Sequence, residues 1–182
     1  MDTQTAVVWI VALIVLGGLA WAFLTRRHSQ DLRRRFGPEY ERQRLEMGDA
    51  RKAEAELDRR ARRVERLHIE PLPPTERVRF ADLWKQQQAR FVDDPPGAVD
   101  GADQLVEEVM RRRGYPVGDF EQRAADISVD HPEVVQNYRA AHQIALLLDH
   151  GRARTEDLRR AMVHYRALFE ELLDDRLAEA RG

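Results

Sequence analysis

The longest apolar stretch of the chain runs from Ala6 to Leu24 and contains no charged side chain. These 19 residues would extend about 28 Å as an α-helix, close to the thickness of the hydrocarbon core of a bilayer. Trp9 and Trp21 lie near its two ends, where indole rings favour the membrane–water interface. The stretch therefore predicts a single-pass transmembrane helix whose partner is the lipid bilayer.

The flanks of this stretch distinguish a retained anchor from a cleaved signal peptide. The residues before it include Asp2 and no lysine or arginine, whereas signal peptides begin with a basic segment. Basic residues follow it instead, beginning with Arg26 and Arg27 at the membrane interface, and cytoplasmic flanks carry such an excess. We therefore predict an uncleaved anchor in the inner (cell) membrane with a cytoplasmic C-terminal domain. A secreted or surface-exposed protein is the alternative.

Residues 38–67 are almost entirely helix formers and predict one charged helix of about 45 Å. Within them Ala50, Leu57 and Val64 recur every seven residues, which is typical of one arm of a coiled-coil dimer. The stripe has few large side chains, so we favour a solvated stalk and keep a homo-oligomer through the stalk as the alternative. Gly48 is a weak point in this helix, since glycine is a poor helix former.

A proline-rich segment at residues 68–74 ends the stalk, because prolines so closely spaced cannot continue a helix. Apolar residues then recur at helical spacing in five segments, at about 75–91, 95–113, 119–127, 132–150 and 155–180. No segment alternates apolar and polar residues as a strand would. We therefore predict an all-α fold with an N-terminal transmembrane helix (1–25), a long charged helical stalk (26–70) and a C-terminal bundle of four or five helices (71–182).

Charge is distributed unevenly along a chain whose net charge is −2. Residues 26–67 hold 14 basic and 9 acidic side chains, whereas residues 68–182 hold 16 basic and 22 acidic ones. The basic part directly follows the apolar stretch, so we expect anionic lipid headgroups to bind near Arg26–Arg35. The acidic part should repel nucleic acid, and no nucleic-acid partner is predicted. The chain has no cysteine, which excludes disulfides and thiolate metal sites.

Four short sequence segments in the C-terminal half form a characteristic combination: Phe91–Pro95, Arg113–Pro116, Ser128–Pro132 and Tyr138–His142. They resemble a group of bacterial proteins of unknown function that carry one N-terminal membrane segment and a helical C-terminal domain. The resemblance covers most of the chain after about residue 30. It implies the same layout of anchor and helical domain, and it implies no activity, cofactor or catalytic residue.

Motifs for catalysis and cofactor binding are missing from the sequence. There is no glycine-rich phosphate-binding loop, and none of the six histidines forms an HExxH or HxxxH pair. Ser128 lacks the GxSxG context of an activated serine nucleophile. We therefore predict no catalytic residue, no metal and no cofactor, and we favour a non-enzymatic function.

Histidines and tyrosines of the last helices are the candidates for a small polar pocket. His142 and His164 could meet across these helices beside Tyr138 and Tyr165, or each ring could be half-buried and satisfied by one hydrogen bond. His131 follows Asp130, which suits a general base oriented by a carboxylate. In the simpler interpretation, Asp130 caps the helix that Pro132 begins, and His131 lies exposed in its first turn.

Two functional hypotheses follow from these patterns. The first is a membrane-tethered interaction or scaffold module whose head binds a protein partner, through the turn at Tyr115 with Phe120 and the helices around Tyr138 and Tyr165. The alternative is an enzyme or small-ligand binder with a histidine–tyrosine pocket between the last helices. The alternative requires at least three of the candidate histidines and tyrosines to converge.

Overall fold

A computed structural model describes residues 3–174 of the chain, with side chains described at Trp9, Leu13 and from Val15 onward. Every regular element within residues 3–174 is an α-helix, as the sequence predicts. The eight helices of that range are α1 (Thr3–Phe36), α2 (Pro38–Met47), α3 (Ala50–Val64), α4 (Pro74–Arg90), α5 (Pro95–Arg113), α6 (Phe120–Asp130), α7 (Val135–Asp149) and α8 (Thr155–Leu173).

The predicted transmembrane helix lies partly outside the described part of the structure, because seven residues of Ala6–Leu24 have side chains that are not described. Among the residues that are described, no helix has both the length and the mean hydropathy of a membrane-crossing segment.

The chain divides into two compact units, residues 1–57 and 58–182, and the boundary falls inside α3. In the first unit, α1 ends at Gly37, whose positive φ of 46° turns the chain into α2. The Tyr40 hydroxyl of α2 donates to Glu54 of α3 at 2.8 Å, and the Arg33 guanidinium lies 5.0 Å from the Tyr40 ring centre. This unit buries a small apolar set: Leu32, Phe36, Tyr40, Ala53 and Leu57.

The single long helix predicted for residues 38–67 is wrong, since two helices meet there at Gly48. Gly48 adopts a left-handed conformation with φ of 63° and ends α2, where its N–H donates to the Arg44 carbonyl. Asp49 then begins α3, because its carboxylate accepts from the backbone N–H groups of Arg51 and Lys52. The apolar positions of the predicted stripe, from Ala53 to Val64, are already buried within the single chain.

The second unit contains the bundle of α4–α8, which we call the head. Helix α5 packs against both α4 and α8, and α7 packs along α8. Local signals set several boundaries as predicted: Asp94 and Asp119 cap α5 and α6 with their carboxylates, and Gly114 ends α5 with φ of 96°. The core includes Phe80, Val106, Met110, Ile127, Tyr138, Tyr165 and Phe169.

The segment Ser128–Pro132 does not cap the helix after it, contrary to prediction. The Ser128 hydroxyl bonds back to the Ala125 carbonyl at 2.7 Å, so residues 128–130 form the last turn of α6. Pro132 lies in a turn, and α7 begins only at Val135. Side-chain bonding to the preceding turn has replaced capping of the following helix.

Candidate functional site

Phe120 and three of the predicted pocket residues form a chain of ring contacts in the head. The Phe120 and His142 rings stack with their centres 3.6 Å apart, and Phe120 is tilted against Tyr138 at 4.9 Å. Tyr138 in turn contacts Tyr165 edge to face at 6.4 Å. We call Phe120, Tyr138, His142 and Tyr165 the aromatic cluster. It joins α6, α7 and α8, and burial lowers the pKa of His142.

A buried arginine closes one side of the aromatic cluster. Arg123 is 8 % exposed, and its Nε donates to the Tyr138 hydroxyl at 2.8 Å. Its other nitrogens reach the Gly118 carbonyl and the Glu107 carboxylate, each at 2.8 Å. Burial raises the pKa of Tyr138, so this hydroxyl stays neutral and its oxygen accepts the hydrogen bond from Arg123. The sequence analysis missed Arg123, because charged helix residues are ordinarily assigned to the solvent side.

Tyr165 contrasts with Tyr138, because its buried hydroxyl makes no hydrogen bond. Burial, followed by the nearby Asp103 carboxylate, raises the pKa of Tyr165. The Asp103 Oδ1 atom is also buried without a hydrogen-bond partner. Two buried polar atoms beside the aromatic cluster, the Tyr165 hydroxyl and Asp103 Oδ1, therefore lack a hydrogen-bond partner.

His131 and Tyr115 lie in a second polar group, away from the aromatic cluster. His131 is only 2 % exposed, in contrast to the exposed position expected for a residue in a helix-capping turn. Its Nδ1 lies 3.3 Å from Glu171 Oε1, and its Nε2 is buried without a partner. Burial lowers the pKa of His131, opposed by Glu171. The Asp130 carboxylate accepts from the Tyr115 hydroxyl at 2.8 Å, and Glu171 rather than Asp130 bonds the imidazole.

The remaining predicted residues lie apart from both groups. The His164 Nδ1 bonds Asn137 Oδ1 at 2.8 Å on a different part of the α7–α8 contact. Trp9 and Trp21 are 68 % and 62 % exposed on α1. Arg26 and Arg27, which follow Trp21 on α1, are also exposed, and their position at a membrane interface stays a prediction.

An open groove lies between α4 and α8, where both helices pack on α5. Its volume is about 170 Å³. The Trp84 ring stacks on Phe169 at 4.8 Å beneath it, and Trp84 Nε1 is buried without a hydrogen-bond partner. The groove is lined by apolar Trp84, Phe91, Met162 and Val163 and by polar Gln88, Arg159 and Arg166.

The groove was not predicted, although the sequence holds one signal for it. Val163 is a valine at a solvent-facing position of α8 and is 46 % exposed. A single apolar residue on the polar face of an amphipathic helix is common, but Val163 lies beside the apolar residues of the groove.

Within the described part of the chain, no three histidine, aspartate or glutamate side chains are close enough to hold a metal ion. Comparison of the chain with protein families, with curated proteins and with solved structures finds no match in any of the three. Within residues 3–174, the structure defines the class only as an all-α protein, and its chain divides into two compact units.

Proposed function

We propose that this chain is a membrane-tethered helical interaction module whose head faces the cytoplasm and binds a protein partner. The observation that carries the tether is the exposed apolar surface of α1. Up to Leu24, the described large apolar side chains of α1 are at least 55 % exposed: Trp9, Leu13, Val15, Leu16, Leu19, Trp21, Phe23 and Leu24. Water-soluble surfaces rarely carry so continuous an apolar patch, and lipid would cover it.

The arginines after this patch support the orientation. Thr25 is the only residue between Leu24 and the basic pair Arg26 and Arg27, and three more arginines end α1. Positive side chains are retained on the cytoplasmic side of a single-pass protein. The head follows these arginines in the chain, so it is assigned to the same side.

Fractionation of cells that express the full chain tests the tether. We expect the protein to remain in the membrane pellet after washing with alkaline carbonate, and a C-terminal tag to resist protease in intact cells. Replacing Leu16 and Leu19 by arginine should release it, because each central arginine costs about 3 kcal/mol on insertion scales. Wild-type protein in the wash supernatant would refute the tether, and a tag cleaved in intact cells would refute the orientation.

The groove between α4 and α8 supports the interaction function of the head. Its apolar floor fits one or two large apolar side chains of a partner. Arg159 and Arg166 flank it, each paired with a glutamate of its own helix in an exposed ion pair. Such pairs are weak, so both arginines can exchange to acidic groups of a partner. The proposed occupant is an amphipathic partner helix with apolar anchors and acidic flanks.

Site-specific photo-crosslinking in cells tests the groove. A crosslinker at Val163 should yield one discrete adduct, and one at Leu146 should not, although Leu146 is a comparably exposed aliphatic residue of α7 at 38 %. Reversing the charge of Arg159 and Arg166 should weaken the adduct at 163. The same adduct pattern at both positions, or an adduct unaffected by the charge reversal, would contradict docking in the groove.

A small-ligand binder is the second candidate, and the unpartnered pair Tyr165 and Asp103 favours it. These two buried polar atoms adjoin the aromatic cluster and could bond one small polar molecule. A high-resolution electron-density map tests it directly. Density for an ordered small molecule bonded to both atoms would support this function, whereas side-chain packing that fills the space would remove it.

A further inference from the structure

The first unit contains a cleft between α1 and the start of α3, with a volume of about 690 Å³. Its α1 wall is a single helix face, because Trp21, Thr25, Ser29 and Arg33 are spaced four residues apart. Its α3 wall includes Arg51 and Glu54. We call this space the juxtamembrane cleft.

The course of α2 places the cleft at the level where the apolar surface of α1 ends. Helix α2 has 10 residues and rises about 15 Å, which returns the chain from Gly37 to the level of about Arg27. Ala50 therefore lines the same cleft as Trp21 and Ala22. Lipid headgroups extend several ångströms beyond the hydrocarbon core, so Arg26 and Arg51 lie at headgroup depth for a tethered chain.

The turn between α2 and α3 carries a second sign of contact with lipid. Near the end of α2, Leu45 is 78 % exposed and Met47 is 36 % exposed, both within five residues of Ala50. Apolar side chains at the edge of a membrane insert into the boundary between headgroups and acyl chains. If the cleft binds a phosphate group, this placement favours the phosphate of a lipid headgroup over a soluble phosphate.

The polar groups of the cleft suit a phosphate-bearing headgroup. Arg26, Arg33 and Arg51 supply three positive charges against one negative charge from Glu54, which already accepts the Tyr40 hydroxyl at 2.8 Å. Guanidinium groups bind phosphate oxygens through paired, charge-assisted hydrogen bonds. Ser29 and Gln30 also line the cleft and can bond the alcohol groups of a headgroup.

We infer that the juxtamembrane cleft binds the headgroup of one anionic phospholipid, with Arg26, Arg33 and Arg51 supplying the positive charge of its lining. The inference rests on the proposed membrane tether and goes beyond it, because a diffuse basic surface would attract anionic lipid without a defined site. The chain provides a matched test, since each of these arginines is followed directly by a basic residue that does not line the cleft: Arg27, Arg34 and Lys52.

The experiment is a titration of full-length protein in neutral detergent with phosphatidylglycerol, followed by native mass spectrometry of bound lipid. We expect one tightly bound lipid per chain. Replacing Arg26, Arg33 and Arg51 together by glutamine should weaken its binding about a hundredfold, and replacing Arg51 alone about fivefold. Replacing Arg27, Arg34 and Lys52 together should weaken it no more than about fivefold, although the change in net charge is the same. Equal losses for the two triple variants would overturn the inference in favour of diffuse attraction.

Two further arms identify the ligand and separate this inference from the tether. Phosphatidylcholine should bind far more weakly than phosphatidylglycerol, and inorganic phosphate and glycerol phosphate should fail to displace the bound lipid at lipid-equivalent concentration. Displacement by either soluble phosphate would overturn the assignment to lipid. A protein that stays in the carbonate-washed membrane and shows no stoichiometric lipid would refute the cleft site and leave the tether standing. Loss of membrane association itself would refute both.

Discussion

The two buried tyrosine hydroxyls of the aromatic cluster lead to a matched prediction. Tyr138→Phe and Tyr165→Phe each remove one oxygen atom from a fully buried ring and leave the apolar packing in place. Tyr138 accepts from Arg123 Nε at 2.8 Å, whereas the Tyr165 hydroxyl has no hydrogen bond. The two substitutions therefore differ in one interaction, the bond to a buried guanidinium.

The loss at Tyr138 can be estimated from the surroundings of Arg123. With only 8 % of Arg123 exposed, water has little access to replace the missing acceptor. Its bonds to Gly118 and Glu107 remain, so the charge keeps part of its solvation. A lost bond to a buried charged donor lowers the free energy of unfolding by about 2 kcal/mol. For Tyr165→Phe we expect a change within about 0.5 kcal/mol, or a slight gain, because an unsatisfied polar atom is removed.

The assay is urea unfolding of the full chain in detergent, followed by the fluorescence of Trp84. Trp84 stacks on Phe169 inside the head, so its emission reports unfolding of the bundle. Replacing Trp9 and Trp21 by phenylalanine in all variants removes the other two indoles. Equal losses for the two tyrosine variants would refute the reasoning, and so would a larger loss for Tyr165→Phe, which would place its hydroxyl in a bond to Asp103.

The other predictions concern backbone strain and protonation in the head. Gly114→Ala should destabilise the head at least twice as much as Gly151→Ala, by urea midpoint, because a Cβ at 114 would lie 2.1 Å from the His68 carbonyl oxygen whereas the Cβ at 151 meets open space. Both glycines have positive φ, so left-handed strain of about 1 kcal/mol is common to the two and a similar loss in both would contradict the clash. Because burial lowers the pKa of His131, the unfolded chain binds a proton first, and stability should fall as the pH drops below about 6.5, by up to about 1.4 kcal/mol per unit. His131→Gln should flatten that fall in urea titrations at several pH values. An unchanged slope would contradict the prediction and would indicate that Glu171 stabilises protonated His131.

The helix pattern of the head was predictable, because the signals that set it are local. Asp94 and Asp119 bond N–H groups three residues further along, and Gly114 supplies a left-handed conformation within one turn of the helix it ends. Such interactions depend on a few neighbouring residues and can be inferred from sequence spacing. The break at Gly48 depends on the same signals, and it was underestimated because the surrounding residues are strong helix formers.

The position of His131 was not predictable, because it depends on a contact distant in sequence. Its partner Glu171 is 40 residues away on α8, and nothing near Asp130 indicates that this helix would cover the imidazole. The position of Phe120 was not predictable either, because it also depends on contacts with another helix. The sequence indicated a turn and a surface position for Phe120, whereas in the fold its ring stacks on His142 and is tilted against Tyr138.

The buried face of helix α6 is partly charged. The helix buries Arg123, Asp126 and Ser128 beside its apolar residues, so its buried face contains charges. Arg63 of α3 donates to Asp126, and Arg139 of α7 donates to Glu121 at 3.0 Å. Together with the bond of Arg123 to Tyr138, these ion pairs connect α6 to its neighbours where apolar side chains alone would not fix its rotation. Buried ion pairs can add conformational specificity even when their net stabilisation is small. We expect the polar pairing of α6 to help fix its orientation, and with it the position of the aromatic cluster, which hydrophobic periodicity cannot report.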